Sequence, residues 1–284
     1  MTAKAVTTTS LKKMKADGKK ITMLTAYDYP SAKLADQAGI DVILVGDSLG
    51  MVVLGYDTTI PVTVADMVYH TRAVTRAVNH ALVVTDLPFL SYHGTWQETL
   101  KNAGEIIQKG NAKAVKLEGG REVAETVKRL TQAGIPVMGH IGLTPQSVNQ
   151  LGGFRVQGKT KEAARALIED AKILEEAGCF ALVLECIPAP LAKLITEKIE
   201  IPTIGIGAGV DCDGQVLVFH DMLGYGGEHY PKFVKKYAEI GITIEQAIRT
   251  YIDEVKTAAF PQEEHSYGID ADLLSGLYGE GERR

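Results

Sequence analysis

Six short apolar runs in this chain end on an ionisable residue: Asp47, Asp86, Glu118, His140, Glu185 and His220. One such ending reads as a turn or a helix cap. A series of them describes a place where chemistry is assembled from distant stretches of chain. Carboxylates gathered without thiolates repel one another unless a cation or a proton sits between them. An oxygen-rich, histidine-poor donor set suits Mg2+ or Mn2+ better than zinc. A hard ion held by few carboxylates polarises a carbonyl and stabilises an enolate, so the chemistry suggested is proton abstraction next to a carbonyl. Asp47 and Asp86 are the natural ligand pair, Glu118 joins them directly or through a water, and Glu185 is the candidate base.

Alternate residues of a strand share a face. Val45 and Asp47 are therefore expected to point one way, as are Val84 and Asp86, Met138 and His140, and Val183 and Glu185. Ala114, Lys116 and Glu118 form a further such set, which puts a cation and an anion in one mouth. For Lys116 two roles stand open besides a structural ion pair. It can clamp a substrate carboxylate, or form a Schiff base if desolvation lowers its pKa. The neighbouring Glu118 favours the clamp, because a carboxylate stabilises the ammonium. Gly205, Gly207 and Gly209 suit a phosphate or any close backbone approach. His70, His80 and His93 read as surface or satisfied groups, while Tyr27 and Asp28 are open between substrate contact and helix capping.

These residues need a scaffold that brings strand ends together. Strands are expected over 21–26, 41–46, 81–85, 114–117, 135–139, 180–184, 201–206 and 215–219. Helices are expected between them over 30–38, 64–78, 96–109, 121–132, 161–177 and 190–198. Such alternation means βα units on a parallel sheet, and about eight of them without a linker favour one (β/α)8 barrel over an open sheet. A short helix within 10–17 is placed to close the base. Further helix is expected over 231–237 and 243–258, and the tail from about 261 to 284 reads as loose, giving a single domain over 1–284.

Composition sets the boundaries. The 284 residues carry a net charge of −5, and 45% are hydrophobic. Lysines are scattered, with one concentration at Lys12 to Lys20 that reads as a solvated helix face and its turn, so no nucleic-acid footprint is present. No apolar run reaches the roughly 18 residues a membrane span needs, and the N-terminus lacks a signal peptide's apolar core. A cytoplasmic enzyme is expected. Cys179, Cys186 and Cys212 form no CxxC pair and read as small buried hydrophobes.

Eight motifs in order carry a resemblance: TAYDY (25–29), VGDSLGM (45–51), PVTVADM (61–67), DLPF (86–89), VKLEGG (115–120), GHIGLTPQSV (139–148), LVLECIP (182–188) and IGIGAG (204–209). Together they resemble the ketopantoate hydroxymethyltransferase family. That resemblance implies a TIM barrel of the phosphoenolpyruvate/pyruvate type that is Mg2+-dependent and acts in pantothenate biosynthesis. It would transfer a hydroxymethyl group from 5,10-methylenetetrahydrofolate to 3-methyl-2-oxobutanoate through a metal-stabilised enolate, forming 2-dehydropantoate. Carried over by motif, Asp47, Asp86 and Glu118 correspond to the metal site, and Asp47, Ser48, Asp86, Lys116 and His140 to substrate contacts. Glu185 corresponds to the proton acceptor. No folate-docking residue is implied, and the family's assembly is a homodecamer. Segment 210–214 and the long tail depart from the family pattern without touching these positions. Two rivals remain from the residues alone: a Mg2+-dependent aldolase or lyase of a pyruvate-like acid, and a non-catalytic barrel that binds a small acid or serves in an assembly.

Overall fold

Branched apolar residues dominate the strands, and each strand pairs in parallel with the next in sequence until the last meets the first. The computed structural model describes residues 5–226 and 230–279. The strands are β1 (Ile21–Thr25), β2 (Val42–Val45), β3 (Leu82–Asp86), β4 (Ala114–Glu118), β5 (Val137–Gly142), β6 (Ala181–Glu185), β7 (Thr203–Ile206) and β8 (Gly214–Leu217). Together they close an eight-stranded barrel. Internal packing divides the chain into two compact units, Met1–Tyr237 and Ala238–Arg284.

Strand parity sorts the core into two layers. Val42 and Leu44, Leu82 and Val84, Ala114, Met138, Ala181 and Val183, Ile204 and Val216 form the barrel interior. Ile43 and Val45, Val83, Val115 and Leu117, Val137, and Leu182 and Leu184 face the helices instead. Helices Tyr29–Gln37, Val64–Thr75, Trp96–Gln108, Ala124–Gln132, Lys161–Glu176 and Ala189–Lys198 supply that outer layer. Their starts follow local chemistry: Thr63 and Thr95 each form a reciprocal capping box, and Asp28 accepts from the Ser31 amide at 2.8 Å. Asp28 is thus a cap.

The N-terminal helix, Thr8–Ala16, starts earlier than Ser10 because Thr7 is its cap and Ser10 completes the box. Its Leu11 is fully buried in the barrel-interior cluster, which stops the end of the barrel opposite the polar mouth. Lys15 latches this plug. Its ammonium donates to the carbonyls of Thr196, Ile199 and Ile201 at 2.9, 2.9 and 3.1 Å and pairs with Asp213 at 3.0 Å. Lys20 likewise donates to the Cys212 carbonyl at 2.5 Å. The basic stretch is therefore only partly a solvated face.

One other expectation is corrected. Residues 231–237 form turns rather than a helix, as a segment opened by proline and lacking a cap allows. The tail past Pro261 contains helix Ala271–Gly279, while 280–284 of the tail expected to be loose lie outside the described residues. In the second unit, helix Ile240–Lys256 carries Ile244, Ile248, Tyr251, Ile252 and Val255 on one exposed stripe.

Candidate active site

Parallel register sets the first contacts of the mouth. In the ladder Asp86 stands opposite Lys116, and Glu118 opposite His140. These four side chains, with Asp47, are buried at 2–4% exposure in a region whose floor is the apolar barrel interior. A charge so placed needs a partner, and each has one. Lys116 Nζ lies 2.7 Å from Asp86 Oδ1. The second Asp86 oxygen accepts from the backbone amide of Asp47 at 3.1 Å. His140 sits between two carboxylates, with Nδ1 3.4 Å from Glu118 and Nε2 3.2 Å from Glu185.

Asp86, Lys116, Glu118, His140 and Glu185 arrive as parity requires, each two residues beyond an interior-facing neighbour. Asp47 does not. Val45 packs in the outer layer, so strand parity alone would send Asp47 outward. The strand ends at Val45, and the turn through Gly46 redirects the chain so that Asp47 enters the mouth. A Cβ on Gly46 would lie 2.8 Å from Ser48 Oγ, so a larger residue there would displace the Ser48 hydroxyl. Ser48 caps no helix amide. Its hydroxyl pairs with the buried Tyr27 hydroxyl at 2.8 Å, which gives Tyr27 a place in the site wall.

Two polar residues complete the cluster without having been predicted. Gln146, on the turn after β5, donates from Nε2 to Asp47 Oδ2 at 2.7 Å and to the Leu87 carbonyl at 3.0 Å. Its backbone amide donates to Glu118 Oε2 at 3.0 Å. Tyr92 in turn donates to Gln146 Oε1 at 2.7 Å. The amide therefore bridges the two acidic ends of the site.

Electrostatics follow from burial and company. Burial, then the charges of Asp86 and Glu118, push Asp47 well above the usual carboxylate range. Burial also raises Asp86, although the Lys116 ammonium opposes it. For Glu118 burial is outweighed by His140 and Lys116, and its carboxyl is lowered. For His140 the Glu118 and Glu185 carboxylates outweigh burial and Lys116, which raises the imidazole to about 9. Lys116 is raised too, since three carboxylates outweigh its desolvation. An ammonium held in that way is not the free amine a Schiff base needs.

Among the described residues, no three His, Cys, Asp or Glu side chains stand in a preformed metal-binding cluster. Lys116 and Gln146 occupy carboxylate oxygens instead. The donor set nonetheless fits a hard divalent cation. Asp47 and Asp86, with Glu118 beside them, bring carboxylate oxygens into one buried cavity, the all-oxygen donor chemistry such an ion takes.

Asp47, Ser48, Asp86, Lys116, Glu118, His140 and Glu185 all line one cavity of about 880 Å3 at the carboxyl ends of the strands. His220 and Asp221, after β8, line it as well. A smaller cavity of about 430 Å3 lies beyond the Glu118–Gln146 wall, lined in part by Phe89, Tyr92 and His93. Other candidates keep plain roles. His70 Nδ1 bonds the Tyr27 carbonyl at 2.7 Å, and the glycine run packs against protein: a Cβ on Gly209 (φ +87°) would meet Ala189. Cys179 and Cys212 are buried, whereas Cys186 lines the mouth.

A closed parallel barrel with acids, a lysine and a histidine converging at its strand ends defines an α/β-barrel enzyme. A family model described as ketopantoate hydroxymethyltransferase matches residues 5–263, and the chain belongs to that family. It is 58% identical over 273 residues to a 3-methyl-2-oxobutanoate hydroxymethyltransferase of Carboxydothermus hydrogenoformans, covering 96% of this chain and 99% of the relative. It is 60% identical over 262 residues to the enzyme of that name from Syntrophus aciditrophicus, covering 92% and 96%. Its fold is like that of phosphonopyruvate hydrolase solved with oxalate and Mg2+, at TM-score 0.59 and 14% identity over 97% of this chain and 95% of the other. 2,3-Dimethylmalate lyase, of the PEP mutase/isocitrate lyase superfamily, is similar at TM-score 0.57 and 15% identity, covering 96% and 94%. The chain is accordingly a hydroxymethyltransferase.

Proposed function

We propose that this barrel mouth transfers a hydroxymethyl group from 5,10-methylenetetrahydrofolate to 3-methyl-2-oxobutanoate, forming 2-dehydropantoate for pantothenate synthesis. The observation that carries the reading is the position of Glu185, whose carboxylate shares one cavity with Lys116 and the Asp47–Asp86–Glu118 cluster while standing on a different strand. Lys116 pairs with the acid's carboxylate, and the Ser48 hydroxyl donates to a second oxygen. His140 holds the Glu185 carboxylate toward the cavity. Glu185 takes the proton from C3, and the electron pair moves toward the keto oxygen. Water adds to the folate-borne methylene carbon, both its C–N bonds break and tetrahydrofolate leaves, and C3 bonds to the released one-carbon carbonyl, whose oxygen takes up a proton to become the hydroxyl. Asp47 and Asp86, with Glu118 directly or through water, would hold Mg2+, whose positive charge would make the C3 proton more acidic.

Support for the ion comes from the buried oxygen donors and from the Mg2+ named with the phosphonopyruvate hydrolase structure. Cytoplasmic placement and a homo-oligomer, a decamer by family resemblance, complete the proposal. The exposed apolar stripe of helix Ile240–Lys256 supports assembly. The test is proton exchange. With 3-methyl-2-oxobutanoate and Mg2+ in deuterium oxide, the C3 hydrogen should exchange without folate, and adding the folate should give 2-dehydropantoate. Exchange with no folate-dependent product would favour a lyase of a pyruvate-like acid.

A further inference from the structure

The mouth cavity is far larger than a five-carbon oxo acid. Its 880 Å3 is the size that takes a drug-sized ligand. Its depth is acidic and polar, but its outer wall changes character. Tyr56, Phe154 and Val156 are 42, 53 and 44% exposed and line it together. Large exposed apolar side chains gathered around a cavity mark a binding surface more often than an idle one.

Charges on that outer wall are unspent. Arg155 and Lys232 both line the cavity, and among the described residues neither has a carboxylate within ion-pairing distance. Both lie on segments seated over the same strand ends. The Gln157 amide donates to the Cys186 carbonyl after β6 at 2.9 Å, and a Cβ on Gly207 after β7 would touch the Phe233 ring. On the other flank, after β8, Asp221 is half-buried in the cavity wall, and its carboxylate takes no hydrogen bond or ion pair among the described residues. A carboxylate matches a paired N–H edge, and free cations match carboxylates.

We propose that the outer half of the mouth cavity is the folate subsite, with Asp221 accepting from the pterin's amino and ring N–H groups and Arg155 and Lys232 holding the glutamate carboxylates. This rests on the hydroxymethyltransferase reading given above. The aryl rings of the donor would lie against Tyr56 and Phe154. The smaller cavity is the poorer choice. Glu118 and Gln146 wall it from Glu185, so a one-carbon unit seated there could not reach C3.

Two assays on the full-length protein separate this subsite from the reading beneath it. The first is C3 hydrogen exchange of 3-methyl-2-oxobutanoate with Mg2+ and no folate. The second is product formation against 5,10-methylenetetrahydrofolate and against its tetrahydropteroate analogue, which lacks the glutamate. Asp221→Asn should raise KM for both donors about tenfold while exchange stays at the wild-type rate. Arg155→Gln with Lys232→Gln should raise KM for the folate severalfold and leave the tetrahydropteroate unchanged, erasing the wild-type preference. Normal exchange with an unchanged folate KM in both variants would overturn the subsite. A wild-type enzyme that exchanges but makes no product with either donor would overturn the transferase reading and the subsite with it.

Discussion

The side-chain amide of Gln146 donates to Asp47 Oδ2 over 2.7 Å, while its backbone amide holds Glu118 at 3.0 Å. One residue thus fixes the orientation of two carboxylates, one on the turn after β2 and one at the end of β4. Outer partners of this kind set affinity for an ion they never touch. Gln146→Ala should raise the Mg2+ concentration needed for half-maximal C3 exchange about tenfold or more. A Mg2+ titration of the exchange rate checks this, and circular dichroism should show the barrel retained.

In the proposed reaction Glu185 takes the proton, which an amide of the same shape cannot. Glu185→Gln should slow C3 exchange by about 100-fold or more. Binding of 3-methyl-2-oxobutanoate, measured by calorimetry, should change little, because Lys116 and Ser48 remain. Asp47→Asn should abolish Mg2+-dependent exchange and leave the protein folded.

Lys116 and Asp86 form a nearly dry ion pair, with side chains 5% and 3% exposed. Removing the cation leaves Asp86 without its buried partner, because His140 faces Glu118 and Glu185 instead. Lys116→Met should cost about 3–5 kcal/mol of stability in EDTA. Millimolar Mg2+ should restore more melting temperature to the variant than to the wild type, because an ion that binds the folded state stabilises it. Melting curves with and without the ion decide it.

Lys15 joins the N-terminal plug to the strand and helix ends below the barrel through three carbonyls and Asp213. Lys15→Ala should destabilise the fold by about 2–3 kcal/mol, read by urea unfolding. Lys13→Ala, whose pair with Asp17 is largely exposed, should be near neutral.

Asp36 binds the backbone amides of Asn79, His80 and Ala81 at 2.9, 3.0 and 2.8 Å. Burial opposes its ionisation, but those three amides outweigh it and hold the carboxyl below its ordinary value of 3.8. The folded pKa is depressed, so this stability is complete above the unfolded value and is lost as pH falls through the folded one. Asp36→Asn should cost about 1–2 kcal/mol at neutral pH. The gap between the two proteins should close on acidification below 3.8.

Much of this site is legible as strand ends, because a barrel turns the last inward side chain of each strand into a mouth residue, glycine having none. Asp86, Glu118, His140 and Glu185 obey that rule, and Lys116 follows by parity with Glu118. Asp47 reaches the same place for another reason, a turn at Gly46 that no alternation encodes. Gln146 and Tyr92 carry neither charge nor period, and only the closing of β3, β4 and β5 brings them together. Gln146 does sit inside GHIGLTPQSV, directly after a strand that ends in chemistry, and a polar residue there was the available signal. Residues 231–237 carry Phe233, Val234 and Tyr237 at helical spacing, yet Pro231 opens the segment and the chain forms turns there, which spacing alone does not reveal.

The pairing of Asp86 with Lys116 and of Glu118 with His140 is fixed by strand register in a closed ring. A single-residue insertion early in β4 would rotate both Lys116 and Glu118 into the helix layer, one within β3 would do the same to Asp86, and the closed ring offers no free edge for the slip to escape to. Insertions between helix and strand at the plugged end leave that register untouched. The protein should therefore tolerate lengthening at its sealed base and not within its strands, which makes the base the place to attach or graft other sequences.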